Sequence, residues 1–259
     1  MQILNLNGHQ VYLSRKSHRR TIRLSIRPNG QIHVTTGKIT SQNEIKTFLA
    51  EHSNWLENSL LAFRSLRQKY PPKRFVQGEG FLYLGKYRFL NFSPKESVEN
   101  PTFNVNELEL ALECFIPQAA WNSSYHIVSQ YQIRPYLLVF FESEGRRIIG
   151  ERVRFYSERM NLWPRVLSFR SQRTRWGSCT TMGNISLNWR LIGAPLEVLD
   201  YVVVHELAHL RYPNHSRFFW SLVEECCDEY RYCRKWLRKN FYEFDFLSEK
   251  SEIHPDRFV

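Results

Sequence analysis

The run Val198 to Leu210, VLDYVVVHELAHL, constrains this chain more than any other stretch, because it is apolar around most of a helix and still carries two histidines and a glutamate. Val198, Leu199, Val202, Val203, Val204, Leu207, Ala208 and Leu210 fit a buried helix rather than a surface one. Burying His205, Glu206 and His209 there is costly unless they are paired or bind a metal. Positions i and i+4 share one face of a helix, so His205 and His209 can each aim a ring nitrogen at a single ion. Glu206 sits one step round, where its carboxylate reaches a water on that ion rather than the ion itself, the geometry of a general base in a zinc hydrolase.

Pro195 and Glu197 suit the first turn of this helix, and Tyr212-Pro213-Asn214 is the expected far end, since a residue before proline leaves the α region. A reversal there brings His215 back over the ion, giving three nitrogens and a fourth position for water. Glu224 and Glu225 are rival third ligands, and Glu224 with Asp228 has the spacing of a ligand and its supporting carboxylate. His215 is preferred because a ligand just past the turn needs little chain reorganisation.

The whole chain has 42% hydrophobic and 15% aromatic residues, enough for a buried core in 259 residues. No apolar run is long enough to cross a bilayer, and the start lacks a signal-peptide pattern, so no membrane association and a cytoplasmic location are expected. Five cysteines without C-x-x-C spacing suit a reducing compartment, and Cys179 reads as a small buried residue rather than a nucleophile. The net charge of +11 is concentrated early: residues 1–80 hold thirteen Lys or Arg against four Glu. Arg15-Lys16-Ser17-His18-Arg19-Arg20, continued by Arg23 and Arg27, is either a solvated basic face or a non-specific site for nucleic acid or an acidic tail.

The fold class expected is α+β. Thr21–Ile26 and Gln31–Thr35 flank Pro28-Asn29-Gly30 as a hairpin. A capping box at Ser41 and Glu44 opens one helix, running to about Phe63. Arg64 to Arg74 reads as a linker or domain edge. Short strands follow at Phe81–Leu84, Tyr87–Phe92, Phe103–Val105 and Leu108–Leu112. Between Pro117 and Met160 the pattern is helical, with Gly145 a point of interruption. Arg165–Phe169 and Asn184–Leu191 are strands of a short antiparallel or mixed sheet, placed where an edge can pair with an extended substrate. A helix from Ser216 to Lys239 packs behind. The expected domains are a β-rich region with one helix over 1–112, a second domain over 113–246 and a polar tail over 247–259.

Arg175-Trp176-Gly177-Ser178-Cys179, Ile185-Ser186-Leu187-Asn188-Trp189-Arg190-Leu191, Tyr201 to Leu210, and Asn214-His215-Ser216 before Phe219-Trp220 resemble, in order and spacing, the YgjP-like metallopeptidase family. The resemblance implies a small zincin-like domain related to SprT-like and Wss-type proteases, holding one zinc ion through His205, His209 and His215, with Glu206 as the catalytic base. The six-residue gap before the third histidine is also that of metzincins, but the glycine of their turn is Tyr212 here. A zinc metallopeptidase acting on protein or peptide is the leading reading. The alternatives are a nucleic-acid-associated protease using the basic N-terminal region and a non-catalytic zinc-stabilised module. Arg175, Arg190 and Tyr212 are candidates for the oxyanion donor, with packing or substrate-backbone roles as the alternative.

Overall fold

The computed structural model describes residues 2–6, 8–27, 30–71, 73–118, 121, 133–172 and 175–240. They divide into two compact units, one before residue 72 and one from residue 73 onward. The division falls inside the polar Arg64 to Arg74 stretch, whereas the edge expected at 112/113 lies within a strand of the second unit. Pro28, Asn29 and the tail from 247 lie outside the described residues.

In the first unit, β1 (Gln2–Leu6), β2 (His9–Lys16), β3 (Arg23–Ile26) and β4 (Ile32–Gly37) form one sheet in the order β1-β2-β4-β3. The expected hairpin is β3 against β4, Leu24 opposite Val34. Val11, Leu13, Ile26, Ile32 and Val34 pack with Ile45, Leu49, Leu56 and Leu60 into the core of this unit. Those last four come from two helices, α1 (Gln42–Glu51) and α2 (Ser53–Lys69), where the sequence reading expected one. The capping box forms as expected, Ser41 Oγ accepting from the Glu44 amide and the Glu44 carboxylate accepting from the Ser41 amide. The break falls at His52, whose ring bonds the Phe48 carbonyl while Ser53 Oγ donates to the Ala50 carbonyl. Side chains that satisfy carbonyls of the last turn let the helix stop and restart without disturbing its apolar spacing.

The second unit repeats that pairing scheme with β5 (Gly80–Tyr83), β6 (Lys86–Lys95), β7 (Thr102–Asn106) and β8 (Ala111–Pro117), in the order β5-β6-β8-β7. In both sheets two antiparallel hairpins are joined by one parallel pair. The turn between β7 and β8 is longer than Asn106-Glu107 alone, because Asn106 Oδ1 accepts from the amides of Leu108 and Glu109. Next comes α3 (Ile133–Met160); residues 119–120 and 122–132 of the expected helical stretch lie outside the described residues. Gly145 does not interrupt α3. A Cβ there would stand 2.5 Å from the Trp189 carbonyl oxygen, so the glycine allows the helix to approach the following segment closely.

The sheet beside the histidine-bearing helix is mixed: β9 (Val166–Arg170), β10 (Gly177–Cys179) and β11 (Asn184–Asn188) in the order β10-β11-β9. β11 is antiparallel to β10 and parallel to β9. A 3-10 turn, Trp189–Gly193, follows β11 and leads into α4 (Leu196–Ala208). The tip of the β5–β6 hairpin docks on that turn, with the Leu84 amide donating to Ile192 O at 2.7 Å and the Gly85 amide to Gly193 O at 3.1 Å. The expected helix over 216–239 is again two, α5 (Arg217–Cys226) and α6 (Tyr230–Asn240), separated at Cys227 to Glu229.

Candidate metal centre

Helix α4 is buried as its sequence demands: Val198, Leu199, Val203, Val204, Leu207 and Ala208 have essentially no exposed surface. It ends earlier than expected, at Ala208 rather than near Tyr212, and His209 forms its C-terminal cap. Hydrogen bonds from Leu210 to Leu207 O and from Arg211 to Ala208 O tighten the last turn and reverse the chain. That reversal carries His215 back over α4. Its Nε2 lies 3.2 Å from His205 Nε2, and the ligand atoms of His205, His209 and His215 all fall within 4.8 Å of one another, so the three imidazoles could hold one ion.

The surroundings differ for each ring. His209 Nδ1 donates to the Tyr212 carbonyl at 3.1 Å, leaving Nε2 for a metal. His205 Nδ1 meets the Tyr201 hydroxyl at 3.5 Å. Phe219, fully buried, sits 4.6–4.9 Å from all three ring centres. Burial pushes the His205 imidazole down to about 3, with the neighbouring His209, His215 and Arg234 charges adding to it. His215 is lowered for the same reasons, burial first. Neutral imidazoles are the form that binds metal.

Glu206 is 6% exposed and lies against β10. A Cβ on Gly177 would come 2.5 Å from its Cγ and Oε1, so only glycine leaves room for the carboxylate at this point of the strand. Burial raises the Glu206 carboxyl to about 8, against a smaller lowering by the Arg175 charge. The strand flanking this carboxylate is therefore β10, a three-residue edge that sequence patterning missed because Gly-Ser-Cys carries no alternation. Asn188, 4% exposed, fixes the segment leading into it: its Nδ2 donates to Gln172 O and Arg175 O, and its Oδ1 accepts from the Arg190 amide.

The three oxyanion candidates occupy different settings. Arg175 is exposed and is the one whose charge acts on Glu206. Arg190 lays its guanidinium 5.3 Å over the Trp189 ring. Tyr212 contributes its carbonyl to His209 and stacks its ring on Phe218. The rival ligand Glu224 pairs with Arg231 at 2.8 Å, half exposed, and joins no metal-binding group among the described residues. Cys179 is half-buried in β10 with its thiol raised by burial and by Glu206, a poor nucleophile. All five cysteines are free.

A buried carboxylate beside three imidazoles that could hold one ion is an arrangement suited to metal-dependent hydrolysis, and the comparisons show the class of protein. Residues 20–240 match the family described as YgjP-like, metallopeptidase domain, and the chain belongs to that family. It is a metallopeptidase, a hydrolase with protein or peptide as substrate. Among solved structures, the metallopeptidase zymogen of Pyrococcus abyssi abylysin is similar at 19% identity, over 40% of this chain and 93% of that one, with a TM-score of 0.29. No curated protein matches.

Proposed function

We propose that the chain hydrolyses peptide bonds with one zinc ion held by His205, His209 and His215 and with Glu206 as general base. The observation that carries this reading is the meeting of three imidazole ligand atoms within 4.8 Å beside a carboxylate that is 6% exposed. The donor set suits zinc: three imidazoles and, among the described residues, no thiolate or carboxylate in the cluster, which leaves a position open for chemistry. Zinc in such a site supplies Lewis acidity, polarising the scissile carbonyl and making water acidic enough to lose a proton near neutrality. Glu206, one residue from His205 on α4, takes the proton of the attacking water and delivers it to the leaving amine. The substrate backbone lies along β10, whose outer edge carries no partner strand among the described residues. The Arg175 charge beside that strand favours the developing oxyanion.

Glu206→Gln keeps the three imidazoles and removes the base. Metal analysis of the purified variant should find the wild-type zinc content, while cleavage of a peptide library falls by about 10³-fold. Full retained activity would remove Glu206 from the mechanism, and loss of zinc would make it a structural partner of the ligands. A reducing, cytoplasmic compartment accords with the five free cysteines. Among the described residues no helix is long and apolar enough to cross a membrane.

A second reading, that the basic N-terminal region holds the enzyme near nucleic acid, is favoured by the exposed Lys16 at the end of β2 and the exposed His18 and Arg20 between β2 and β3. Arg15 is set apart from that group, because its guanidinium donates to the carbonyls of Gly37, Lys38 and Thr40 and ties β2 to the start of α1. Neutralising Lys16, Arg19 and Arg20 while keeping Arg15 should abolish a salt-sensitive affinity for DNA measured by fluorescence anisotropy. Absence of wild-type binding at low salt would end this reading.

A further inference from the structure

The three histidines are not held in the same way. His205 and His209 project from α4, and His209 is also tied through Nδ1 to the Tyr212 carbonyl. His215 stands on the loop before α5 and is exposed, and its only hydrogen-bonding contact among the described residues is with His205 itself. What confines its ring is aromatic. Trp220 lies nearly parallel to it, 22° between planes and 5.6 Å between centres, while Phe219 meets it edge-on at 4.8 Å. The indole is braced in turn from α6. Tyr230 stacks on it at 5.1 Å and 21°, and the Arg234 guanidinium stands 5.6 Å from its centre. Arg231, tied to Glu224, covers Tyr230 at 4.6 Å.

We propose that Trp220 is a positioning residue for His215, and that the Trp220–Tyr230 stack couples α6 to the strength of metal binding. The proposal rests on His215 being the third ligand. An imidazole on an exposed loop samples several rotamers, and ordering it on ion binding costs free energy that a pre-formed stack has already supplied. Aromatic stacking fixes the ring plane as well as its place, so a flat side chain at 220 does what apolar bulk alone does not. Sequence spacing gives no hint of this function, because Trp220 stands out there only with Phe219 as part of the family resemblance.

The test is the zinc dissociation constant of the full chain, measured by competition with a chromophoric chelator, together with the visible spectrum of the cobalt-substituted protein. Trp220→Ala should bind zinc about tenfold more weakly and give altered cobalt bands, while the metal-free variant keeps its circular dichroism. Trp220→Phe, which retains a flat ring, should stay within about threefold of wild type. Trp220→Leu keeps bulk without a plane, carries the same expectation as the alanine variant, and decides the matter if that variant does not fold. His215→Ala is the reference and should lose more affinity than any of them. If His215→Ala binds zinc like wild type, the ligand assignment falls. If it loses affinity while Trp220→Leu matches Trp220→Phe, the ligand assignment stands and the positioning role is overturned.

Discussion

Asp200 and Glu206 lie on the same helix, and both are nearly excluded from water, at 8% and 6% exposure. Asp200 is fully engaged: Arg152 on α3 donates to both its oxygens at 2.6 and 2.7 Å, and the Tyr156 hydroxyl donates at 3.2 Å. Glu206 has no hydrogen-bond partner among the described residues and faces the bare backbone of Gly177. A buried acid with its partners in place holds two helices together. One left without them is a cost to the fold that the proposed role as a base would account for. Burial by itself does not distinguish a structural carboxylate from a functional one; the completeness of its partners does.

Replacing each acid by its amide should separate the two. The largest effect belongs to Glu206→Gln, the loss of about 10³-fold in cleavage described above, and thermal melting of its metal-free form should show stability equal to or above wild type, since no partner is lost. A fall in that stability would show Glu206 to be part of the scaffold. Asp200→Asn should behave in the opposite sense, losing about 2 kcal/mol by denaturant titration because Arg152 keeps its charge without a carboxylate. The loss stays below that of a fully buried pair, as Arg152 is 25% exposed.

A third acid extends the comparison to the surface. Glu44 is exposed and works through the backbone, so Ser41→Ala, which removes one half of the capping box, should cost about 1 kcal/mol. The Ser41 amide, and then its hydroxyl, hold the Glu44 carboxyl below its ordinary value of 4.5. A folded value below the unfolded one means that the carboxylate contributes above 4.5 and that the contribution disappears as pH falls through the folded value. Glu44→Gln should therefore destabilise at pH 7 and match wild type in melts taken well below that range.

Much of the site was legible because its chemistry is local in sequence. The five residues from His205 to His209 and the proline just beyond them suffice to anticipate two imidazoles on one helix face, a carboxylate beside them and a chain reversal that brings His215 near. The N-terminal hairpin and the Ser41 box are equally local, and both form. What escaped lies in side chains that act across the chain. The helix break at His52 leaves the spacing of Leu49, Leu56 and Leu60 undisturbed. Gly145 reads as a breaker until Trp189 is brought against it. Gly177 shows no reason to be glycine until Glu206 arrives opposite. The common pairing scheme of the two four-stranded sheets is invisible in a chain with no detectable internal repeat, since hydrogen bonding repeats there without the side chains.

The hairpin tip at Leu84 and Gly85 has a consequence for what could be carved from this protein. The carbonyls of Ile192 and Gly193, at the threshold of α4, are met by amides that arrive from far upstream, and a Cβ on Gly85 would stand 2.7–2.9 Å from Pro195 atoms. A fragment cut to the stretch bearing the histidines would thus begin α4 on an unsecured doorstep. A fragment that keeps these two carbonyls bonded has to reach back at least to β5.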